Sequence, residues 1–446
     1  MAGDSWTRFR LGDLLSIKHG WPFKSEFFSE TLTGRPIVVG VGNFRYTGGF
    51  RFSETTLKEY LDKYPIEYEL SPGDVLLVMT CQTAGGEILG VPGKVPADGR
   101  LYLHNQRLGK VEIKNPKIVD RNYLYWLFLW SEFNRELVAT ASGTKILHTA
   151  PSRIESFSFK LPPIREQVAI ARILDAIDDK IELNRRMNET LEAMAQALFK
   201  SWFVNFDPVR TKVETSGPHS SEQTSGLFPN AFEDTRLEPT PNGWAVAPIY
   251  DIATFINGAA YRDFEPNPNR IGLPIVKIAE LKAGVTDQTG FSAVEMPEKY
   301  RIDTGDILFS WSGNPDTSID TFVWTNGPAW LNQHIFKVVP PNRDSRAFIL
   351  MMLRYFRPVF AEIARNKQTT GLGHVTVADL KRLMVARPPS AVLLSWNRLV
   401  EPLIERSFQI QLENNTLTSV RDTLLPKLIS GELRVNAAEK IVEAVA

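Results

Sequence analysis

The chain repeats itself, and that constrains its fold more than any other feature. Trp6, Leu14, Gly20 and the triplet Pro36-Ile37-Val38 recur as Trp244, Ile252, Gly258 and Pro274-Ile275-Val276, every pair 238 positions apart. Further on, Gly73-Asp74-Val75-Leu76 matches Gly305-Asp306-Ile307-Leu308 at an offset of 232, and Asn105-Gln106 matches Asn332-Gln333 at 227. His148 then matches His374, Pro162-Pro163 matches Pro388-Pro389, and Asn188-Glu189-Thr190-Leu191 matches Asn414-Asn415-Thr416-Leu417, all at 226. An offset that shrinks only in steps marks duplication with small deletions. Two copies are too few for a stacked solenoid, so the pattern predicts a pseudo-twofold molecule built from one chain.

The first part of each copy is turn-rich and strand-like. Pro36-Ile-Val-Val-Gly, Gly73-Asp-Val-Leu-Leu-Val-Met and Lys110-Val-Glu-Ile-Lys lie between Gly and Pro punctuation. Helix-length segments interrupt them at Asn122 to Ala139 and, in the second copy, at Arg346 to Arg365. The expectation is an α+β class with two mixed α/β domains. After Pro162-Pro163 the pattern changes: Ile170, Leu174, Ile177, Ile181, Asn184, Asn188, Leu191, Ala195, Leu198 and Trp202 alternate steps of four and three, the spacing of a coiled-coil seam. The same places in the second copy hold Trp396, Val400, Leu403, Ser407, Ile410, Asn414, Leu417, Arg421, Leu424 and Leu428. Such a stripe also suits burial against its own domain, but about 40 residues at 1.5 Å rise span roughly 60 Å, and the matched copy favours pairing of the two helices.

These boundaries divide the chain into a first domain 1–160, a spacer helix 161–206, a linker 207–243, a second domain 244–389, a second spacer helix 390–433 and a C-terminal tail 434–446. The linker is assigned on its Ser, Thr, Gly, Pro and Glu content and is expected to be flexible. With 51 basic and 51 acidic residues the 446-residue chain carries no net charge, so any polyanion must be held by local patches. The first domain has 20 basic residues against 17 acidic and the second 16 against 14, so positive charge concentrates slightly in the domains. A hydrophobic content of 43% argues against disorder. The single cysteine, Cys81, excludes an intramolecular disulfide and a thiolate zinc cage, and no apolar run approaches the ~20 residues of a membrane helix. A cytoplasmic location, without membrane contact, is expected.

Catalytic motifs are nearly absent. There is no GxxxxGK[ST], no HExxH and no metal-ligand spacing among the six histidines. Gly40-Val-Gly42 reads as a tight turn, and Gly73-Asp74 and Gly305-Asp306 read as turn formers ahead of apolar strands. His148 and His374 recur in glycine-containing loops, which raises a ligand-facing role for both. Cys81 aligns with Gly313 and reads as inert.

Four stretches carry a family resemblance. Leu161-Pro-Pro-Ile-Arg-Glu-Gln, Ile173-Leu-Asp-Ala-Ile-Asp-Asp-Lys-Ile, Ala197-Leu-Phe-Lys-Ser-Trp-Phe-Val-Asn-Phe-Asp-Pro and Leu424-Leu-Pro-Lys-Leu-Ile-Ser-Gly-Glu-Leu resemble the specificity subunit of Type I restriction-modification systems. The resemblance spans the whole chain, with one departure: Arg387-Pro-Pro-Ser-Ala-Val lacks the Arg-Glu-Gln that follows Pro163. It implies a non-catalytic, DNA-binding subunit whose two target-recognition domains each read half of a split, asymmetric site. The implied partners are double-stranded DNA, two modification subunits that use S-adenosylmethionine, and restriction subunits that use ATP-Mg, with no cofactor in this chain. The other class that the paired helices suit is a protein-interaction scaffold that reads no DNA.

The seam alone fits an antiparallel pairing, which sets Trp202 against Trp396, Ile170 against Leu428, Leu198 against Val400 and Asn184 against Asn414. It equally fits a parallel one, which opposes Asn188 with Asn414 and Trp202 with Leu428. The resemblance implies the antiparallel form. Donors and acceptors suited to base edges are carried by Arg, Lys, Asn, Gln and His. Loop residues of these types are Arg45, Arg51, Gln82, Lys94, Lys145 and His148 in the first domain, and Arg262, Asn314, Lys367, Gln368 and His374 in the second.

Overall fold

The computed structural model describes residues 6–52, 56–83, 85–214, 226–237, 239–368 and 372–444. Two compact units form: residues 1–182 with 415–446, and residues 183–414. Each unit is one globular domain together with half of each long helix.

In the first unit, Val75–Val78 is apolar at all four positions and buried at all four. Such a run suits a strand covered on both faces. Side-chain alternation sends Val75 and Leu77 into one core and Leu76 and Val78 into another. The strand lies between Leu108–Ile113 and Pro92–Lys94, with Leu15–His19 beyond, in an antiparallel four-stranded sheet. A second sheet orders Phe28–Ser29, Glu59–Tyr60, Ile37–Val39, Tyr102–His104 and Glu69–Leu70, with the pair Ile37–Val39 and Tyr102–His104 parallel. A ribbon of Thr7–Arg10 antiparallel to Ser158–Leu161 joins the start of the domain to the entrance of the helix.

The second unit repeats this topology. Thr254–Asn257, Ile335–Val339, Ile307–Ser310 and Asp320–Val323 form the antiparallel sheet, in matching order. Leu273–Val276 pairs in parallel with Ala329–Leu331, and Ala245–Pro248 pairs with Met384–Arg387 as the entrance ribbon. Ile307 and Phe309 enter one core and Leu308 the other, as their counterparts do.

The long helices run Ile164–Phe203 and Ser390–Ser430. Every seam position is buried or half-buried. Ile170, Leu174, Ile177, Asn184, Ala195, Trp202, Trp396, Val400, Ile410, Leu417, Arg421, Leu424 and Leu428 are buried, and Ile181, Asn188, Leu191, Leu198, Leu403, Ser407 and Asn414 are half-buried. The pairing is antiparallel. In the first unit Arg421 donates to Asp178 at 2.8 Å, and in the second Asn184 Nδ2 donates to Asn414 Oδ1 at 3.0 Å.

Both fates foreseen for the seam are realised together, because the helix halves join the cores of the domains. Trp126 Nε1 donates to Asp175 at 2.8 Å in the first unit, and Phe199 and Phe203 pack on Phe348 in the second. One expected pair changes partners. Trp396 meets the rings of Phe199 and Phe203, while Trp202 packs edge-on against Phe228. Phe199 and Phe203 are four residues apart and share a helix face, from which Trp202 is rotated by about one residue's turn.

Other expectations are refined. The segment 122–139 is two helices, Arg121–Phe128 and Ser131–Ala139, and its counterpart is also two, Arg346–Tyr355 and Arg357–Asn366. In the second copy Pro358 sits in the first turn of the new helix, where its missing N–H costs nothing. The tract expected as linker is structured at both ends: Asp207–Glu214 is helical, and Val209 and Phe228 are buried in the core of the second unit. Ser216 to Ser225 lie outside the described residues. In the C-terminal tail, Val435–Glu443 forms a helix and buries Ala438 in the core of the first unit. No helix among the described residues is long and apolar enough to cross a membrane.

Candidate nucleic-acid interface

At the end of Val75–Val78 the chain passes between two loops and hydrogen-bonds to both. Met79 N donates to Arg107 O at 2.9 Å, and Thr149 N donates to Met79 O at 3.0 Å. Thr80–Cys81 then pairs with Leu147–His148. The second domain repeats the relay: Trp311 N donates to His334 O at 3.3 Å, Val375 N donates to Trp311 O at 2.8 Å, and Ser312–Gly313 pairs with Gly373–His374. Backbone hydrogen bonds therefore hold the Asn-Gln turn and the histidine hairpin beside one strand end in each domain.

The first hairpin is closed by reciprocal bonds between Ser142 and His148, each 2.9 Å. Gly143 has φ +101°, and a Cβ there would come within 2.0 Å of Ile146 O, so the turn requires glycine. This geometry leaves Lys145 and His148 exposed, with Thr80 Oγ1 3.0 Å from His148 Nδ1. Gln82 is exposed where the paired strand ends. Cys81 is buried, with Sγ 3.1 Å from Thr83 Oγ1. In the second domain His374 is exposed, and exposed Asn314 uses its carbonyl to accept from the backbone of Asp316 and Thr317.

Three of the remaining candidates are engaged within their own unit. Arg45 pairs with Glu182 at 3.4 Å, tying its loop to the long helix. Lys94 donates to Asn122 at 3.0 Å and lies over the Tyr125 ring. Lys367 pairs with Asp379; burial pushes that carboxyl up, but hydrogen bonds from Lys367 and Thr376 outweigh it and hold it below the usual range. Arg51 is exposed, Arg262 is exposed 3.5 Å from Asp263, and Gln368 is exposed just after Arg357–Asn366.

Sequence reasoning missed Gln106, Arg107, Gln333 and His334. The signal was present, since Asn105-Gln106 and Asn332-Gln333 are among the duplicated pairs, but nothing in the sequence shows that this turn borders the histidine hairpin. Gln106 and Arg107 are exposed, and Gln333 and His334 are half-buried. Among the described residues no group of three or more His, Cys, Asp or Glu is placed to hold a metal ion. The arrangement offers hydrogen-bond donors and acceptors on loops braced by a sheet, which suits recognition rather than bond breaking.

Comparisons with known proteins agree with this reading. The Type I restriction enzyme HindI specificity subunit of Haemophilus influenzae is 26% identical over 368 residues, covering 72% of this chain and 79% of that protein. The MjaIX specificity subunit of Methanocaldococcus jannaschii is 27% identical over 327 residues, covering 71% of this chain and 70% of its own length. The crystal structure of a Type I restriction-modification S subunit from M. genitalium shares the fold, with a TM-score of 0.57, 16% identity, and coverage of 96% of this chain and 97% of that one. The sequence model described as the Type I restriction modification DNA specificity domain matches residues 3–193 and 241–392. The chain therefore belongs to the Type I restriction-modification DNA specificity domain family.

Proposed function

We propose that this chain is the DNA sequence-recognition subunit of a Type I restriction-modification complex, in which each globular domain reads one half of a bipartite asymmetric site. The paired long helices set the spacing between the halves and dock the modification subunits. One observation carries this reading: the same backbone relay is built twice and presents different side chains. Beside the matched histidines His148 and His374, Gln82, Arg107 and Lys145 stand on one copy, and Asn314 and His334 on the other. Like scaffolds with unlike side chains suit two different half-sequences, since base edges are distinguished by the donors and acceptors set against them.

Two readers on one chain gain effective concentration over either alone, so a site lacking one half binds far more weakly. On this reading the chain is not itself an enzyme. Its partners are double-stranded DNA, two modification subunits that hold S-adenosylmethionine, and restriction subunits that hold ATP-Mg, all in the cytoplasm. The near-neutral balance of the domains fits a subunit that shares phosphate contacts with its partners.

Domain exchange tests this. Residues 1–160 are replaced by the equivalent domain of another such subunit, and the methylated sequence is read by sequencing DNA from cells that express the hybrid with its modification subunit. One half of the methylated site changes and the other is retained. Simultaneous change of both halves would overturn independent readout.

A further inference from the structure

The turn that carries the duplicated Asn-Gln pair is locked by its own backbone. Gln106 N donates to Trp21 O at 3.0 Å, Leu108 N to Asn105 O at 3.0 Å, and Trp21 N to His104 O at 2.9 Å. Gly20 lies against it so closely that a Cβ there would be 2.2 Å from Asn105 O. In the second domain a Cβ on Gly258 would be 2.2 Å from Asn332 O, Asn332 N donates to Val276 O at 3.1 Å, and Ile335 N donates to Asn332 O at 3.2 Å. The asparagine is absorbed by the fold in both copies: Asn105 Oδ1 accepts from Arg107 N at 3.0 Å, and Asn332 is 3% exposed.

The next two residues are exposed in the first copy and half-buried in the second. Gln106 and Arg107 are exposed beside a concavity of about 480 Å³ that Phe23, Asn43 and Lys58 also line. In the second copy Gln333 Nε2 lies 3.3 Å from His334 Nε2, and His334 Nδ1 is buried without a partner. A backbone-locked turn that exposes an amide and a guanidinium, as Gln106 and Arg107 do in the first copy, is suited to reading bases, because the turn itself loses little entropy on contact.

We infer that Gln106 and Arg107 in the first domain, and Gln333 with His334 in the second, determine sequence specificity by contacting base edges. This rests on the proposed function and names residues within it. Glutamine pairs bidentately with adenine and arginine with guanine. The shared glutamine calls for an A·T pair in each half-site. Arg107, which the second copy replaces with His334, calls for a G·C pair in the first half only.

The test uses the full chain assembled with its modification subunit and selects bound duplexes from a randomised DNA library. Gln106→Glu exchanges the preferred adenine for cytosine, whose amino group a carboxylate accepts, in one half-site only, by about tenfold or more. Gln333→Glu does the same in the other half. Arg107→Ala relaxes a guanine preference in the half-site that Gln106→Glu alters. A wild-type complex that selects no sequence would sink both this inference and the proposed function. A wild-type complex that selects a bipartite sequence left unchanged by Gln106→Glu, Arg107→Ala and Gln333→Glu overturns this inference alone. A change of base identity cannot arise from partial unfolding, which only weakens binding.

Discussion

Gln167→Leu removes one side chain that holds the first long helix to its domain. Gln167 is fully buried; its Nε2 donates to Ile118 O at 2.9 Å and to Pro162 O at 2.8 Å, and its Oε1 accepts from Asp120 N at 2.8 Å. Asp120 in turn caps the helix Arg121–Phe128 by accepting from Tyr123 N. Leucine keeps the volume and loses three hydrogen bonds, each worth about 1 kcal/mol net, with a further penalty of about 1–3 kcal/mol for a buried group left unsatisfied. Ile118 is exposed, so water re-covers its carbonyl, and leucine adds some apolar burial. The net loss is about 3 kcal/mol. Urea unfolding followed by circular dichroism reads it: with a slope of about 3 kcal/mol per M, the midpoint of the first unit falls by about 1 M with the slope unchanged. The second copy supplies an internal comparison. The equivalent position there is Leu393, and the polar clamp lies one turn on, where Asn397 donates to Asp344 O at 2.6 Å. A midpoint shift under about 0.3 M would refute the assignment of these bonds as the anchor.

Two further outcomes are expected. Burial, helped by the positive charges of Lys110 and Lys18 and opposed by a hydrogen bond to Leu108 O, lowers the pKa of His104 to about 4. The unfolded chain, with a histidine pKa near 6.5, binds the proton more readily, so this contribution is present above pH ~6.5 and is lost as pH falls toward 4, by about 2 kcal/mol between pH 7 and 5. Urea midpoints measured against pH, flattened in His104→Gln, check this, and an unaltered slope in the variant would contradict it. At the helix pair, Asn184 donates to Glu413 and Asn414 while its own Oδ1 is buried without a partner. A double-mutant cycle of Asn184→Leu and Asn414→Leu should give a coupling of about 1 kcal/mol, with either single leucine permitting alternative registers, and zero coupling would remove Asn184 as the register residue.

The sequence by itself determined the duplication, the class of the two domains, the long helices and their seam. These are local or repeated patterns: a 3.5-residue spacing and constant offsets leave their mark on the chain whatever it packs against. The motif Leu161-Pro-Pro-Ile-Arg-Glu-Gln was equally legible, but its physical work was not. The bond from Trp6 Nε1 to Glu166, the ion pair of Arg434 with Glu166, and the bonds of Gln167 to Ile118 and Asp120 bring together residues more than 40 positions apart. Tertiary structure also decided that the compact units divide each helix between them, that the linker ends and the C-terminal helix belong to domain cores, and that the Asn-Gln turn borders the histidine hairpin. That last adjacency depends on the backbone of Met79 and Trp311 bonding to loops on either side. Backbone bonds between distant segments leave no residue-type signature, so the duplicated dipeptide was visible as a repeat and became a candidate site only once the sheet had placed it.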